Sequence, residues 1–252
     1  MSSFPKHLAF ASLLATFLCA STIHAQAPAA VDSDHDGLSD QFEQELLQRF
    51  QPELMISATD CAGKPARFKR DHATPKIEAK DGTIYGQVLP VSPGRVEIHY
   101  YTLWGRDCGR VGHPLDAEHV AALVSLDGAQ PTALYWYAGA HEKTFCDISS
   151  GARASALHAE NHGPKVWSSA GKHALYFSKA KCDSGSGCGT DSCADDVELP
   201  ASQTVINIGE RTAPANGSPW VNSPSWVLRD KMAANFSPEL INLVNAAPAG
   251  SV

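Results

Sequence analysis

From residue 83 onward, apolar and polar residues alternate in short runs broken by Gly, Pro and Asp. The runs at 83–89, 96–104, 120–126, 133–137, 166–169, 174–177 and 204–208 predict strands, because alternate side chains of an extended chain leave opposite faces. Many short strands separated by such turns predict a mainly β fold, a β-sandwich, spanning 53–252. A different period marks the N-terminal side. Phe42, Leu46, Leu47 and Phe50 fall on one stripe of a helix that stops before Pro52. Further short helices are expected at 151–160, at 226–234 and from Pro238, and the Ser-, Gly- and Asp-rich stretch 183–196 predicts a cross-linked loop. There is no internal repeat.

Polar spacing just before the first helix carries chemistry. Asp32, Asp34, Asp36, Asp40 and Glu43 stand at positions one, three, five, nine and twelve of a calcium loop, Gly37 at its sixth and Leu38 at its seventh. Calcium takes six to eight hard oxygens: the acids supply carboxylates, Leu38 its backbone carbonyl, and Gly37 the sharp turn. No helix precedes the loop, so it reads as half of an EF-hand, with the structural task of fixing the helix onto the main domain. The N-terminal module is expected to span 26–52.

Lys6, the apolar run 8–20, and small residues at Ala25 and Ala27 read as an export signal over 1–25. The run falls short of the roughly 20 residues that cross a bilayer, and no later segment reaches that length. Leu18 before Cys19 is too large for lipoprotein processing, so simple secretion, outside the cell or into a periplasm, is expected. Losing Lys6 takes the net charge from -7 to -8, which disfavours nucleic acid as a partner. Cys61, Cys108, Cys146, Cys182, Cys188 and Cys193 then remain, an even number that in an exported chain predicts disulfides. Zinc competes for the last three, but they lack a C-x-x-C pair and an oxidising compartment favours bridges.

The densest functional pattern is Gly112-His113-Pro114-Leu115-Asp116-Ala117-Glu118-His119, read as lying just before a strand. Asp116 and Glu118 are two apart and leave one face of an extended chain, His113 reaches back from the loop, and His119 leaves the opposite face. With Asp107 upstream, the set is suited to a second divalent cation, Mg2+, Ca2+, Mn2+ or Zn2+. His141-Glu142 and His173 also sit beside apolar strand runs.

This stretch resembles the G-H-R-H-D-W-E heptapeptide of the necrosis-inducing protein family, secreted toxins of fungi, oomycetes and bacteria. The preceding aromatic strand, His99-Tyr100-Tyr101-Thr102-Leu103-Trp104, fits the same layout. The resemblance implies a β-sandwich, a cation held by His113, Asp116 and Glu118 with Asp107 as fourth ligand, and recognition of sugar headgroups on membrane lipids. Pro114, Leu115 and Ala117 replace the family's Arg, second His and Trp, and the calcium loop is foreign to it. Gly171-Lys172-His173 also resembles the G-S-H-A segment of related families named for vacuolar sorting.

Three functions are compatible with these features. The first is a secreted, toxin-like or lectin-like, cation-dependent protein binding glycans or lipid headgroups, with Trp104, Tyr135, Trp136 and Tyr137 as candidate stacking residues. The second is a metal-dependent hydrolase of an extracellular ester, phosphodiester or glycan, with His141 or His173 as catalytic proton shuttle. The third is a structural envelope or adhesion domain. No G-x-S-x-G elbow, phosphate loop or H-E-x-x-H pattern is present.

Overall fold

The alternating runs assemble into two facing sheets. The computed structural model describes residues 30–185, 190–199, 205–226 and 228–247, so the expected export signal lies outside it. One sheet runs in the order β10 (Leu175–Tyr176), β9 (Lys165–Ser168), β1 (Glu53–Ser57) and β11 (Asp196–Glu198). The other runs β12 (Ile206–Asn207), β4 (Ile84–Ser92), β5 (Arg95–Arg106), β6 (Pro114–Ser125), β7 (Thr132–Ala138) and β8 (Ser150–Arg153). β2 (Arg67–Phe68) and β3 (Ile77–Ala79) pair only with each other. Leu54, Ile56, Val166 and Leu175 from the first sheet meet Ile98, Tyr100, Trp104, Val120 and Ala122 from the second in one core, which makes the fold a β-sandwich. The far face of the larger sheet, around Tyr101, Leu103 and Ala117, is covered by Trp220, Trp226, Leu228 and Met232.

Helix α1 (Asp40–Arg49) begins where Ser39 caps it, its hydroxyl accepting from Phe42 N at 3.3 Å. Its stripe of Leu46 and Leu47, with Phe50 at its C-cap, is buried in the inter-sheet core. Such burial contributes about 1.5–3 kcal/mol per side chain. Gly86 of β4 permits this close approach: a Cβ there would stand 2.3 Å from Leu47 Cδ2 and 2.7 Å from Val205 Cγ1.

Several elements differ from expectation. β6 begins at Pro114 rather than at 120, because β5 supplies a pairing partner all the way to Arg106, so the His113–Glu118 pattern lies at the start of a strand and not before it. Residues 151–160 form β8 and a 3-10 turn, Ala154–Leu157, rather than one helix, since pairing of Gly151 with Tyr137 outweighs local helical preference. The expected helix at 226–234 shortens to α3 (Leu228–Lys231). The expected cross-linked loop contains α2 (Lys179–Asp183) and is closed by a Cys182–Cys193 disulfide. Cys61 is bridged to Cys108 and Cys146 is disulfide-bonded as well, while Cys188 lies outside the described residues.

The last helix, α4 (Pro238–Ala246), lies along β8. Val244 sits against Gly151, Arg153 donates to Asn245 O at 2.6 Å, and Tyr135 Oη donates to Asn245 Oδ1 at 3.2 Å. Among the described residues no helix is long and apolar enough to cross a membrane.

Candidate functional site

Two clusters of ionisable side chains stand out, and they differ in how their charge is balanced. The first is the N-terminal loop. Gly37 adopts φ +94°, the turn its position demands. Asp32 accepts from His35 N at 2.8 Å and Gly37 N at 3.1 Å, and Asp36 from Leu38 N at 2.7 Å. Asp40 accepts from Ser33 N at 2.7 Å and Ser33 Oγ at 2.6 Å. Asp32, Asp34 and Asp36 each offer an oxygen within 4.8 Å of the others, the one such group among the described residues.

Three oxygens in this loop, Asp34 Oδ1, Asp36 Oδ2 and Glu43 Oε1, are buried without a hydrogen-bond partner. Burial, reinforced by the neighbouring carboxylates, pushes Asp34 up to about 6 and Glu43 up to about 8, and raises Asp36 as well. No lysine or arginine among the described residues ion-pairs with these acids. A hard divalent cation fits: Asp32, Asp34, Asp36 and Glu43 would hold it with the Leu38 carbonyl, and it would supply the missing positive charge.

The second cluster lies where β5 turns into β6. Leu115, His141 and His173 all adopt left-handed backbone, φ +59°, +56° and +60°, a conformation costly for residues with a Cβ. Asp116 and Glu118 leave one face of β6, both buried, as their spacing requires. Their partners are cationic side chains. His173 Nδ1 donates to Asp116 at 2.7 Å and Nε2 to Asp60 at 3.2 Å, while the ring stacks on Trp104 at 3.9 Å. Burial opposes its charge, but the bonds to Asp116 and Asp60 outweigh it and raise His173 to about 9.

Glu118 is raised to about 7 by burial, against the pull of Lys231, whose Nζ lies 3.2 Å from Glu118 and 3.8 Å from Glu142. Asp191 is fully engaged: it accepts from His141 Nε2 at 2.7 Å, from Lys172 Nζ at 2.8 Å and from the Tyr176 hydroxyl. Burial alone would raise Asp191, yet these donors bring it down to about 2. Its hydrogen bond in turn raises His141.

His113 stands apart. Its side chain is 50% exposed, its Nδ1 donates to Leu115 O at 3.0 Å, and its Nε2 lies 4.0 Å from Asp107. The left-handed turn at Leu115 leaves it on the hairpin tip, so His113, Asp116 and Glu118 do not converge into one chelating group. The donor set expected for a second divalent cation therefore does not fit one here, since each buried acid already has an internal cation. Trp104 and Trp136 are wholly buried and Tyr137 nearly so, which places them in the core rather than on a stacking surface. His119, also buried, faces the opposite side of the sheet, stacked on His99 and tilted against Tyr137.

Asp60, Asp191 and Lys231 were invisible to spacing because they join the cluster from distant parts of the chain. The only trace in the sequence was their residue type. Above the cluster, an open groove of about 560 Å³ is lined by Arg106, Asp107, Cys108, Gly109, His113 and Pro114. Its floor is tied down by the Cys61–Cys108 bridge, by Cys108 N donating to Gly171 O at 2.7 Å, and by Gly171 N donating to Asp60 at 2.6 Å.

No family model matches the chain and no curated protein is similar to it. Solved structures with related architecture include the non-toxic HaNLP3 protein, 13% identical over 78% of this chain and 86% of that one, with a TM-score of 0.45. Necrosis and Ethylene inducing Protein 2, from the causal agent of cocoa's witches' broom disease, is 19% identical over 82% and 99%, with a TM-score of 0.43. NLPPya in complex with glucosamine is 17% identical over 76% and 82%, with a TM-score of 0.41. These likenesses, all at TM-scores below 0.5, assign no residue of this chain a role.

Proposed function

We propose that the chain is an exported binding protein that recognises a hydroxyl-rich headgroup, of a glycan or a glycolipid, in the groove at the β5–β6 tip, and that calcium in the N-terminal loop stabilises it. The observation that carries this reading is the cross-linked hairpin tip. Arg106, Asp107 and His113 offer donors and acceptors side by side, on a floor held by a disulfide and a buried ion-paired histidine. A pre-organised polar groove loses little freedom on binding and suits paired hydroxyl groups. Val111, 87% exposed beside it, offers an apolar patch for a sugar ring face. The bridged cysteines fit an oxidising compartment, as export requires.

Glycan arrays and sedimentation with glycolipid vesicles test this directly. Wild-type protein is expected to bind a hydroxyl-rich class, and His113→Ala and Asp107→Ala to weaken that binding about tenfold, roughly 1.4 kcal/mol. Binding that both variants retain in full would remove the groove from consideration.

A second reading, hydrolysis, has one observation in its favour: buried Asp191 orients His141, which is partly exposed, in the manner of an acid–base pair. His173, with both ring nitrogens bonded, has none left to shuttle a proton. A panel of chromogenic esters, phosphodiesters and glycosides decides between the readings. Turnover abolished by His141→Ala would favour the enzyme, and silence across the panel would favour pure binding.

A further inference from the structure

The loop acids do not stand alone. Asp34 is 4% exposed and Glu43 0%, and each has one oxygen bonded to a distant segment and one left over. Asp34 Oδ2 accepts from Glu210 N at 3.1 Å, and Glu43 Oε2 from Asn207 Nδ2 at 3.2 Å, contacts that span 176 and 164 residues of sequence. Glu210 repeats the arrangement: its Oε2 accepts from Gln87 Nε2 at 3.2 Å, while its Oε1 is buried without a partner. Gly209, at φ +64°, makes room for the contact, since a Cβ there would stand 2.8 Å from Asp34 Oδ2.

Resting on the calcium reading of the loop, we infer that the site is shared between two parts of the chain, with Glu210 on the turn after β12 as an acidic ligand beside Asp34. A buried carboxylate oxygen with no donor is costly, and an ion held at Asp34 would also satisfy the unpartnered Glu210 oxygen across the contact between the two segments. Flexible, all-oxygen ligation suits Ca2+ better than Mg2+, which requires a tighter octahedron and keeps its waters. The ion then joins the N-terminal loop to the outermost strand of the larger sheet. That strand is held to β4 by only a two-residue parallel pairing, Ile206 with Tyr85 and Asn207 with Gly86.

Calorimetric titration of the chelator-treated, disulfide-intact protein with Ca2+ tests this, using wild type, Glu210→Gln, Asp34→Asn and, as control, the exposed Glu198→Gln. Wild type and Glu198→Gln are expected to bind one ion equally well. Asp34→Asn and Glu210→Gln are each expected to lose at least tenfold in affinity. If wild type takes up no calcium, the loop reading itself fails. If wild type binds and Glu210→Gln binds as tightly, the loop stands and the shared site is overturned. Hydrogen exchange on the wild type keeps the question open to refutation even if Glu210→Gln does not fold. Calcium is expected to protect the amides of Ile208 to Glu210 together with those of the loop, and protection confined to the loop would count against sharing.

Discussion

His173 shows how one residue can organise a site from its interior. Its imidazole is held between Asp60 and Asp116 and lies flat on Trp104. Because its folded pKa of about 9 exceeds its ordinary value of 6.5, its stabilisation is complete below about pH 6.5 and is lost as the pH rises through 9. The effect is about 3 kcal/mol. Urea midpoints measured at pH 6 and pH 10 should differ for the wild type, and this difference should shrink in His173→Gln. Exposed His113, by contrast, is expected to change stability by no more than about 0.5 kcal/mol when replaced by Ala, so a binding defect there can be read without a folding defect. Period-two spacing was enough to put Asp116 and Glu118 on one face. It held no information about their partners, because His173 lies 57 residues from Asp116 and 113 from Asp60.

The central strands were legible as elements because their runs alternate and are rich in β-branched and aromatic residues. The start of β6 was not, since Pro-Leu-Asp-Ala-Glu-His carries no such preference and is extended only because β5 pairs with it. Short β1 and β8 were missed for the same reason: their partners, more than their composition, make them strands. The helix that follows the loop was read correctly from its apolar stripe, and its seat on β4 depends on Gly86. Gly86→Ala would drive a methyl group into Leu47 and Val205 and is expected to cost about 1–3 kcal/mol, seen as a lowered thermal midpoint. An unchanged midpoint would mean that the helix shifts freely on the sheet.

Across the molecule, charge is partitioned unequally. The cluster at the β5–β6 end contains Asp60, Asp116, Glu118, Glu142 and Asp191, but answers them with His173, Lys231, Lys172 and His141. The loop cluster has acids and no such answer. Sequence patterns located the acids of both clusters without revealing this asymmetry, because the balancing cations arrive through the fold. Chelation is therefore expected to lower thermal stability, and calcium at a hundredfold its dissociation constant to restore about 2.7 kcal/mol. Asp32→Ala should abolish the response to calcium, whereas His113→Ala should leave it intact.

The position of α4 has a consequence for solubility. By lying along β8, it packs Val244 over Gly151 and covers the face of this outermost strand of the larger sheet. A bared apolar face beside an outermost strand invites a second molecule to pack and pair there. A chain cut after Phe236 should accordingly keep its fold at low concentration yet polymerise as concentration rises, a transition that light scattering would register.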